Sequence, residues 1–172
     1  MELDFEIDKI TESIEDAQTG EIYKTHVLPI TQADLKKITK RNDWLFNWKL
    51  EYMQSECKVF KLVTEKESNI IHGLISLKKQ EGFVLMPLIE SAPFNFGKEK
   101  KFVGVPSNLV AYACKLSKEY GFDGVVAFDS KTALISHYEK SLGAVHVGGR
   151  RMIIYEERAE FFINKYFPDK GV

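Results

Sequence analysis

The chain is poor in cysteine and has no long apolar run, and both shortages limit its class. Its 172 residues include two cysteines, Cys57 and Cys114, too few for a disulfide framework and without the spacing of a zinc site. We expect both to be buried free thiols. No run approaches the roughly 20 apolar residues of a membrane helix, and the N-terminus is acidic where a leader peptide is basic. These features predict a cytoplasmic protein that does not associate with a membrane.

Several motifs of nucleotide and hydrolase chemistry are also missing. There is no G-x-x-x-x-G-K-[ST] loop, no G-x-G-x-x-G turn and no G-x-S-x-G elbow, which argues against nucleotide hydrolysis, dinucleotide binding and serine hydrolysis. The histidines lack metal-site spacing on a helix; they are His26, His72, His137 and His146. We therefore expect each histidine to be structural or solvated and expect no metal.

Charge is balanced overall but uneven along the chain. The formal net charge of −1 provides no field that attracts nucleic acid or an anionic membrane surface. Residues 1–20 hold seven acids against Lys9, a local charge of −6 that leaves +5 on the rest. We interpret residues 1–20 as an acidic N-terminal extension, either a solvated arm or a surface for a basic partner. Residues 21–172 then form one domain, since no repeat, low-complexity tract or linker divides them.

The spacing of apolar residues predicts alternating strands and helices. Strands are predicted at 3–7, 21–29, 59–64, 70–77, 83–90, 124–129, 145–147 and 152–155, and helices at 32–40, 43–55, 106–120, 132–142 and 157–167. In the second helix, one face carries Trp44, Leu45, Trp48 and Tyr52, which we expect in the core. The unbroken apolar run at 124–129 is typical of a central strand. This order predicts an α/β fold with helices layered on one partly antiparallel sheet.

The segment with the clearest chemical implication connects the strand that ends at Glu90 to the helix that begins near Pro106. It contains Lys101-Phe102-Val103-Gly104-Val105-Pro106-Ser107-Asn108, with two further lysines just upstream. Glycine lets backbone approach a ligand closely, and the free amides of a first helical turn suit a pyrophosphate. A proline-initiated helix with solvated lysines has the same pattern, so this segment alone leaves both interpretations open.

Two segments together resemble the GCN5-related N-acetyltransferase (GNAT) family. Lys101 to Pro106 is similar to the family's acyl-CoA signature, Gln/Arg-x-x-Gly-x-Gly/Ala, and Tyr138 to Ala144 is similar to its later Tyr-x-x-x-Gly-Phe-like segment. In element order the resemblance covers about residues 21–156. It implies a central, mostly antiparallel sheet whose fourth and fifth strands splay apart around acyl-CoA. Lys101 and Pro106 depart from the signature, and Pro106 lacks an N–H that Ser107 and Asn108 can replace.

The resemblance implies transfer of acetyl from acetyl-CoA to an amine by direct attack in a ternary complex. The implied cofactor-binding residues are Ile89, Glu90 and Ser91 beside the pantetheine, Lys101, Phe102, Val103, Gly104, Val105, Pro106, Ser107 and Asn108 at the pyrophosphate, and Tyr138 at the sulfur. Glu90 is the candidate base for the amine, and Tyr138 the candidate donor to the departing thiolate. An exposed strand-end carboxylate and a packed core tyrosine are the alternative interpretations of these two residues. Ser91 and Asp129 are lesser polar candidates.

The acceptor amine is left open by the sequence. A small amine, an amino acid, a protein amine and an aminoacyl-tRNA all fit the resemblance, although no basic stripe favours nucleic acid. The acceptor side is implied around residues 44–56. A catalytically inactive interaction protein with the same fold is the alternative, favoured by Pro106 and the acidic extension. An edge strand at either end of the sheet can pair with a second copy, which allows a homodimer.

Overall fold

The computed structural model describes residues 2–168, which contain ten strands and four α-helices. The strands are β1 (Ile14–Asp16), β2 (Ile22–Tyr23), β3 (Thr25–Pro29), β4 (Cys57–Thr64), β5 (Gly73–Lys79), β6 (Val84–Ser91), β7 (Phe102–Val103), β8 (Val126–Asp129), β9 (Val145–Gly148) and β10 (Arg151–Ile154). The helices are α1 (Trp48–Met53), α2 (Val105–Glu119), α3 (Ile135–Leu142) and α4 (Glu156–Tyr166). No helix within residues 2–168 has the length and apolar content needed to cross a membrane.

Seven strands form the main sheet in the order β3-β4-β5-β6-β8-β10-β9. Its neighbours are antiparallel except β6 and β8, which run parallel because α2 crosses over between them. A small second sheet has the order β2-β1-β7. The predicted α/β architecture with a mostly antiparallel sheet is therefore confirmed.

The sheet opens between β6 and β8. Pairing is limited to Val84 with Val126 and Leu85 with Ala127, so the rest of β6 separates from β8. A β-bulge in β6 accompanies this opening, since Lys78 of β5 faces Leu85 while Ser76 faces Leu88. The extra residue falls at Met86 and Pro87, and a proline without an N–H is tolerated at such a bulge.

The bulge also exchanges the faces on which β6 side chains lie. Met86 and Ile89 belong to a first core beneath α2 and α4, whereas Leu88 belongs to a second core around Trp44 and Trp48. Two separate cores therefore cover the two faces of the sheet.

Helix α2 follows the local signals in the sequence. It begins after Gly104, whose φ is 90°, and has Pro106 in its first turn, where no intrahelical N–H is required. It ends before Gly121, which also has a positive φ of 87°. The predicted helix at 106–120 is confirmed, as are those at 132–142 and 157–167 with small shifts at their starts or ends.

The predicted helices at 32–40 and 43–55 are largely wrong. Residues 34–36 and 40–42 form single 3-10 turns, and the second helix is limited to Trp48–Met53. The carboxylate of Glu90 accepts hydrogen bonds from the amides of Leu45 at 2.6 Å and Phe46 at 3.4 Å, which holds this backbone outside a helix. As a result Leu45 is 61% exposed, although Trp44 and Trp48 are buried as predicted.

The N-terminal residues are not a solvated arm. Leu3, Ile7 and Ile14 are buried in the first core, while the intervening acids Asp4 and Glu6 face solvent. The predicted strand at 3–7 is reduced to a single parallel bridge between Leu3 and Ser130. Apolar residues alternating with acids can bury one side of an extended backbone without forming a ladder, so the pattern was real but the assigned element was wrong.

The two cysteines are free thiols. Cys114 is fully buried on α2, and burial raises the pKa of its thiol to about 12. Cys57 is half-buried at the start of β4, and burial raises its pKa as well. Both thiols therefore remain protonated near neutral pH and are poor nucleophiles.

Candidate functional site

The opening between β6 and β8, which we call the cleft, has the start of α2 at its mouth. Close approach of α2 to the sheet depends on Gly73 of β5, because a Cβ at that position would lie 2.7 Å from Val105 Cγ1. Ile89 is buried on the α2 side of β6, and Ser91 ends the strand opposite Gly73. The cleft is therefore bounded by the separated end of β6 along one side and by the N-terminus of α2 at its mouth.

The first turn of α2 has few amides left for a ligand. Val105 and Ser107 have no intrahelical acceptor for their N–H groups, and Pro106 has no N–H. The amide of Gly104 donates to Asp8 Oδ1 at 3.1 Å. The helix start that is predicted to bind pyrophosphate is therefore formed, but the amide of Gly104 is already paired with a carboxylate of the same chain.

Side chains around this turn are also engaged. Ser107 Oγ donates to the carbonyl of Lys9 at 2.8 Å, and Asn108 Oδ1 accepts from Thr25 Oγ1 at 2.8 Å. Lys100 Nζ lies 3.1 Å from Asp8 Oδ2, whereas Lys101 is exposed. The predicted segment 102–103 forms β7 and pairs with β1, so Phe102 and Val103 hold the small sheet next to the turn.

Tyr138 lies on α3 and is completely buried. Its ring packs on Phe5 and Phe128 with centroid distances of 5.3 and 5.2 Å, and its hydroxyl donates to the carbonyl of Phe5 at 2.5 Å. Burial raises the pKa of Tyr138, and the nearby carboxylates of Asp4 and Glu6 act in the same direction. The phenol is therefore a protonated hydrogen-bond donor across the physiological range.

Glu90 lies on the opposite face from α2. In addition to the two amides already described, its carboxylate accepts from Trp48 Nε1 at 2.8 Å, and the residue is 7% exposed. Burial raises the pKa of this carboxyl, and the three donors oppose that shift. The structure thus gives Glu90 and Tyr138 different partners, with Glu90 holding residues 45–48 in place. The lesser candidate Asp129 pairs with Arg151 at 2.8 Å.

Sequence reasoning missed Asp8, His137 and Tyr166. His137 Nε2 accepts from the amide of Ile7 at 2.9 Å. Tyr166 accepts from the amide of Thr11 at 2.8 Å and donates to Ser107 Oγ at 2.7 Å. The alternation of apolar and acidic residues near the N-terminus was the only available signal, and it does not reveal which distant groups these residues contact.

His72 is a buried neutral base next to β7. It packs against Phe102 at a centroid distance of 4.9 Å, and Asn95 Nδ2 lies 3.1 Å from its Nδ1. Burial lowers the pKa of His72 from 6.5 to about 4. Below pH 6.5 the unfolded chain therefore takes up a proton that the folded chain does not, until the pH falls to about 4.

We expect this histidine to make stability decrease as the pH falls through that window. The free energy of unfolding contributed by His72 should drop by roughly 3 kcal/mol between pH 7 and pH 4. Urea unfolding of wild type and His72→Gln across this range would measure it as the difference between the two profiles. His26→Gln, at an exposed site, should keep the wild-type profile. Parallel profiles for wild type and His72→Gln would contradict the assignment.

Known structures share this arrangement of elements. The chain matches AtaTR bound with AcCoA with a TM-score of 0.58 and 14% identity over 81% of this chain and 98% of that one. It matches mutant forms of the spermidine/spermine N-acetyltransferase SpeG from Vibrio cholerae with a TM-score of 0.56 and 16% identity, over 80% and 97% of the two chains. A mutant AtaT toxin bound to the C-terminus of the antitoxin AtaR and acetyl-CoA gives a TM-score of 0.53 at 10% identity, over 81% and 98%. No protein-family profile matches the sequence, and no curated protein matches it at a significant level.

The splayed parallel pair, the crossover helix and these similarities define the fold. The chain has the fold of the GCN5-related N-acetyltransferases, as its sequence predicted. Structures of this fold include one of a spermidine/spermine N-acetyltransferase and two that contain acetyl-CoA.

Proposed function

We propose that the chain is an acetyl-CoA-dependent N-acetyltransferase that transfers acetyl directly to an amine in a ternary complex. The observation that carries this proposal is the cleft between β6 and β8, with the glycine-capped start of α2 at its mouth. Acetyl-CoA would place its pantetheine beside Ile89, Glu90 and Ser91. Its pyrophosphate would lie at residues 101–108, where a helix N-terminus favours an anion.

The reaction needs a neutral amine, a stabilised oxyanion and a proton for the thiolate. The amine nitrogen attacks the thioester carbonyl and the carbon–sulfur bond breaks; the amine loses one proton to a base and the departing thiolate gains one, so the products are an amide and the thiol of CoA. We propose that Tyr138 donates a hydrogen bond to the CoA sulfur, because its buried phenol stays protonated. Glu90 remains our candidate base. Its oxygens are held by three donors, so it would act through a water rather than by direct contact.

We propose the acceptor as a class of compound, an amine. Polyamines are a reasonable first set because SpeG, a spermidine/spermine N-acetyltransferase, shares the fold. Amino acids and lysine peptides complete a panel of amines. A homodimer also remains a prediction: β9 is an edge strand, and its Val145 and Val147 are each 46% exposed.

A non-catalytic interaction protein is the second candidate, and one observation favours it. Both the Gly104 amide and the Tyr138 hydroxyl already have partners in the chain's own N-terminal residues, Asp8 and Phe5. A protein that had lost its cofactor would be expected to satisfy these buried groups internally.

Tyr138→Phe tests the enzymatic proposal most directly. We expect the rate constant kcat to fall at least about 100-fold, the usual loss when a group that assists the departing thiolate is removed, while the affinity for acetyl-CoA does not fall. CoA release would be followed by chromatography with the amine panel, and acetyl-CoA affinity by calorimetry. Tyr155→Phe, at a 46% exposed position, is the matched control and should behave as wild type.

The outcomes separate the two candidate functions. An unchanged kcat in Tyr138→Phe would remove Tyr138 from the chemistry. Folded wild type that binds acetyl-CoA but releases no CoA with any amine would favour the interaction protein over the enzyme.

A further inference from the structure

Residues 2–13, which we call the N-terminal segment, run across the mouth of the cleft. The segment starts at the end of β8, where the Leu3 amide donates to the carbonyl of Asp129 at 2.7 Å and the Lys131 amide donates to the carbonyl of Leu3 at 3.1 Å. It then passes α3 and reaches the start of α2. The segment therefore extends from the strand on one side of the cleft to the helix at the mouth of the cleft.

Along this path the segment uses groups that the proposed function assigns to acetyl-CoA. Phe5 accepts the hydrogen bond of the Tyr138 hydroxyl, which would otherwise reach the CoA sulfur. Asp8 accepts the hydrogen bond of the Gly104 amide, which would otherwise reach a phosphate oxygen. The segment and the cofactor therefore cannot both satisfy these two donors.

The chemistry of Asp8 matches that of the anion it would exclude. One carboxylate oxygen lies at the amide of the N-cap residue, and the other lies 3.1 Å from Lys100 Nζ. Backbone N–H groups at a helix start and a lysine ammonium are the usual partners of a phosphate. The carboxylate of Asp8 therefore occupies the position that a phosphate group would take.

The segment is held less firmly than the sheet. Its one β-bridge is at Leu3, and its apolar contacts with the first core come from the buried Leu3 and Ile7 and the partly buried Phe5 and Ile10. A segment without a strand ladder opens at a lower free-energy cost than the strands of a sheet do. Release of residues 3–8 is therefore compatible with an intact main sheet.

We propose that the N-terminal segment is autoinhibitory: residues 3–8 occupy the acetyl-CoA site and must leave before the cofactor binds. This inference rests on the proposed function, because it assigns acetyl-CoA to the same cleft. The apparent affinity for acetyl-CoA then depends on the fraction of molecules in which the segment is released. Any change that weakens the contacts of the segment raises this apparent affinity.

The first test compares full-length wild type with Asp8→Ala and Glu12→Ala. Glu12 is an exposed acid of the same segment, so its replacement controls for the loss of one charge. We expect Asp8→Ala to bind acetyl-CoA about tenfold more tightly than wild type, as expected when a competing state is weakened, and Glu12→Ala to bind within about twofold of wild type. Calorimetry gives the affinities, and circular dichroism confirms that each variant is folded.

The second test follows the wild-type segment by hydrogen exchange. Saturating acetyl-CoA should speed exchange at the amides of Leu3 and Ile7, which donate to Asp129 and His137 in the free protein. Tight binding with equal affinity in wild type and Asp8→Ala, and with unchanged exchange, would overturn autoinhibition and leave the proposed function intact. Absence of acetyl-CoA binding in all three folded proteins would reject the proposed function, and the autoinhibition proposal with it.

Discussion

Gly104→Ala is expected to lower the free energy of unfolding by about 2–5 kcal/mol, which combines a backbone cost and a steric cost. Gly104 has a φ of 90°, where an L-residue is strained. A Cβ there would also contact Thr11 Oγ1 and lie 2.9 Å from the carbonyl oxygen of Ser13. Because these neighbours belong to residues 11–13, the substitution pushes the N-terminal segment away from α2.

The matched control is Gly82→Ala. Gly82 has a similar φ of 87°, and no atom lies within 4 Å of an added Cβ, so we expect only the backbone cost of about 1–2 kcal/mol. Urea unfolding of both variants with equal denaturant slopes would measure the difference. Equal losses at the two glycines would show that residues 11–13 do not pack tightly on the start of α2.

Trp48→Ala is the second substitution with a large expected effect. Trp48 is completely buried in the second core and donates its indole N–H to Glu90 at 2.8 Å. Its truncation should cost about 3–5 kcal/mol, the usual loss for a large buried aromatic side chain. Thermal and urea unfolding would measure this loss.

Trp48→Phe separates packing from hydrogen bonding. It keeps most of the buried ring but removes one donor from a buried carboxylate, so we expect a loss of about 1–3 kcal/mol. In the background of Glu90→Gln this loss should become smaller, since the side chain that loses its donor is then neutral. The same loss in both backgrounds would indicate that the indole N–H contributes nothing to holding Glu90.

Two predictions were made for residues 43–55, a helix and a buried aromatic face, and both depended on the spacing of apolar residues. Trp44 and Trp48 were correctly placed in the core, because large aromatic side chains are buried in almost any local conformation. The helix itself was overestimated, because the amides of Leu45 and Phe46 bind a carboxylate 45 and 44 residues away. Helical spacing carries no information about such a distant acceptor.

In the candidate site, too, the features that depend on neighbouring residues were predicted, and the contacts between distant residues were not. The glycine and proline at the start of α2 predicted both the helix boundary and an anion-binding turn, since positive φ and a missing N–H act within a few residues. That Asp8 pairs with Gly104 could not be predicted, because the two are 96 residues apart. Neither could the bond between Tyr138 and Phe5, which are 133 residues apart.

The sequence by itself determined the order of the main-sheet strands along the chain, the start and end of α2, the central apolar strand β8 and the resemblance to an acetyltransferase fold. These features depend on backbone preferences and on side-chain spacing, which are properties of short stretches of chain. The tertiary structure alone decided where the sheet opens, which face Glu90 lies on, and that the N-terminal segment lies across the cleft. A one-residue bulge in β6 and a few polar contacts between distant residues set these outcomes, and such contacts exist only after the chain has folded.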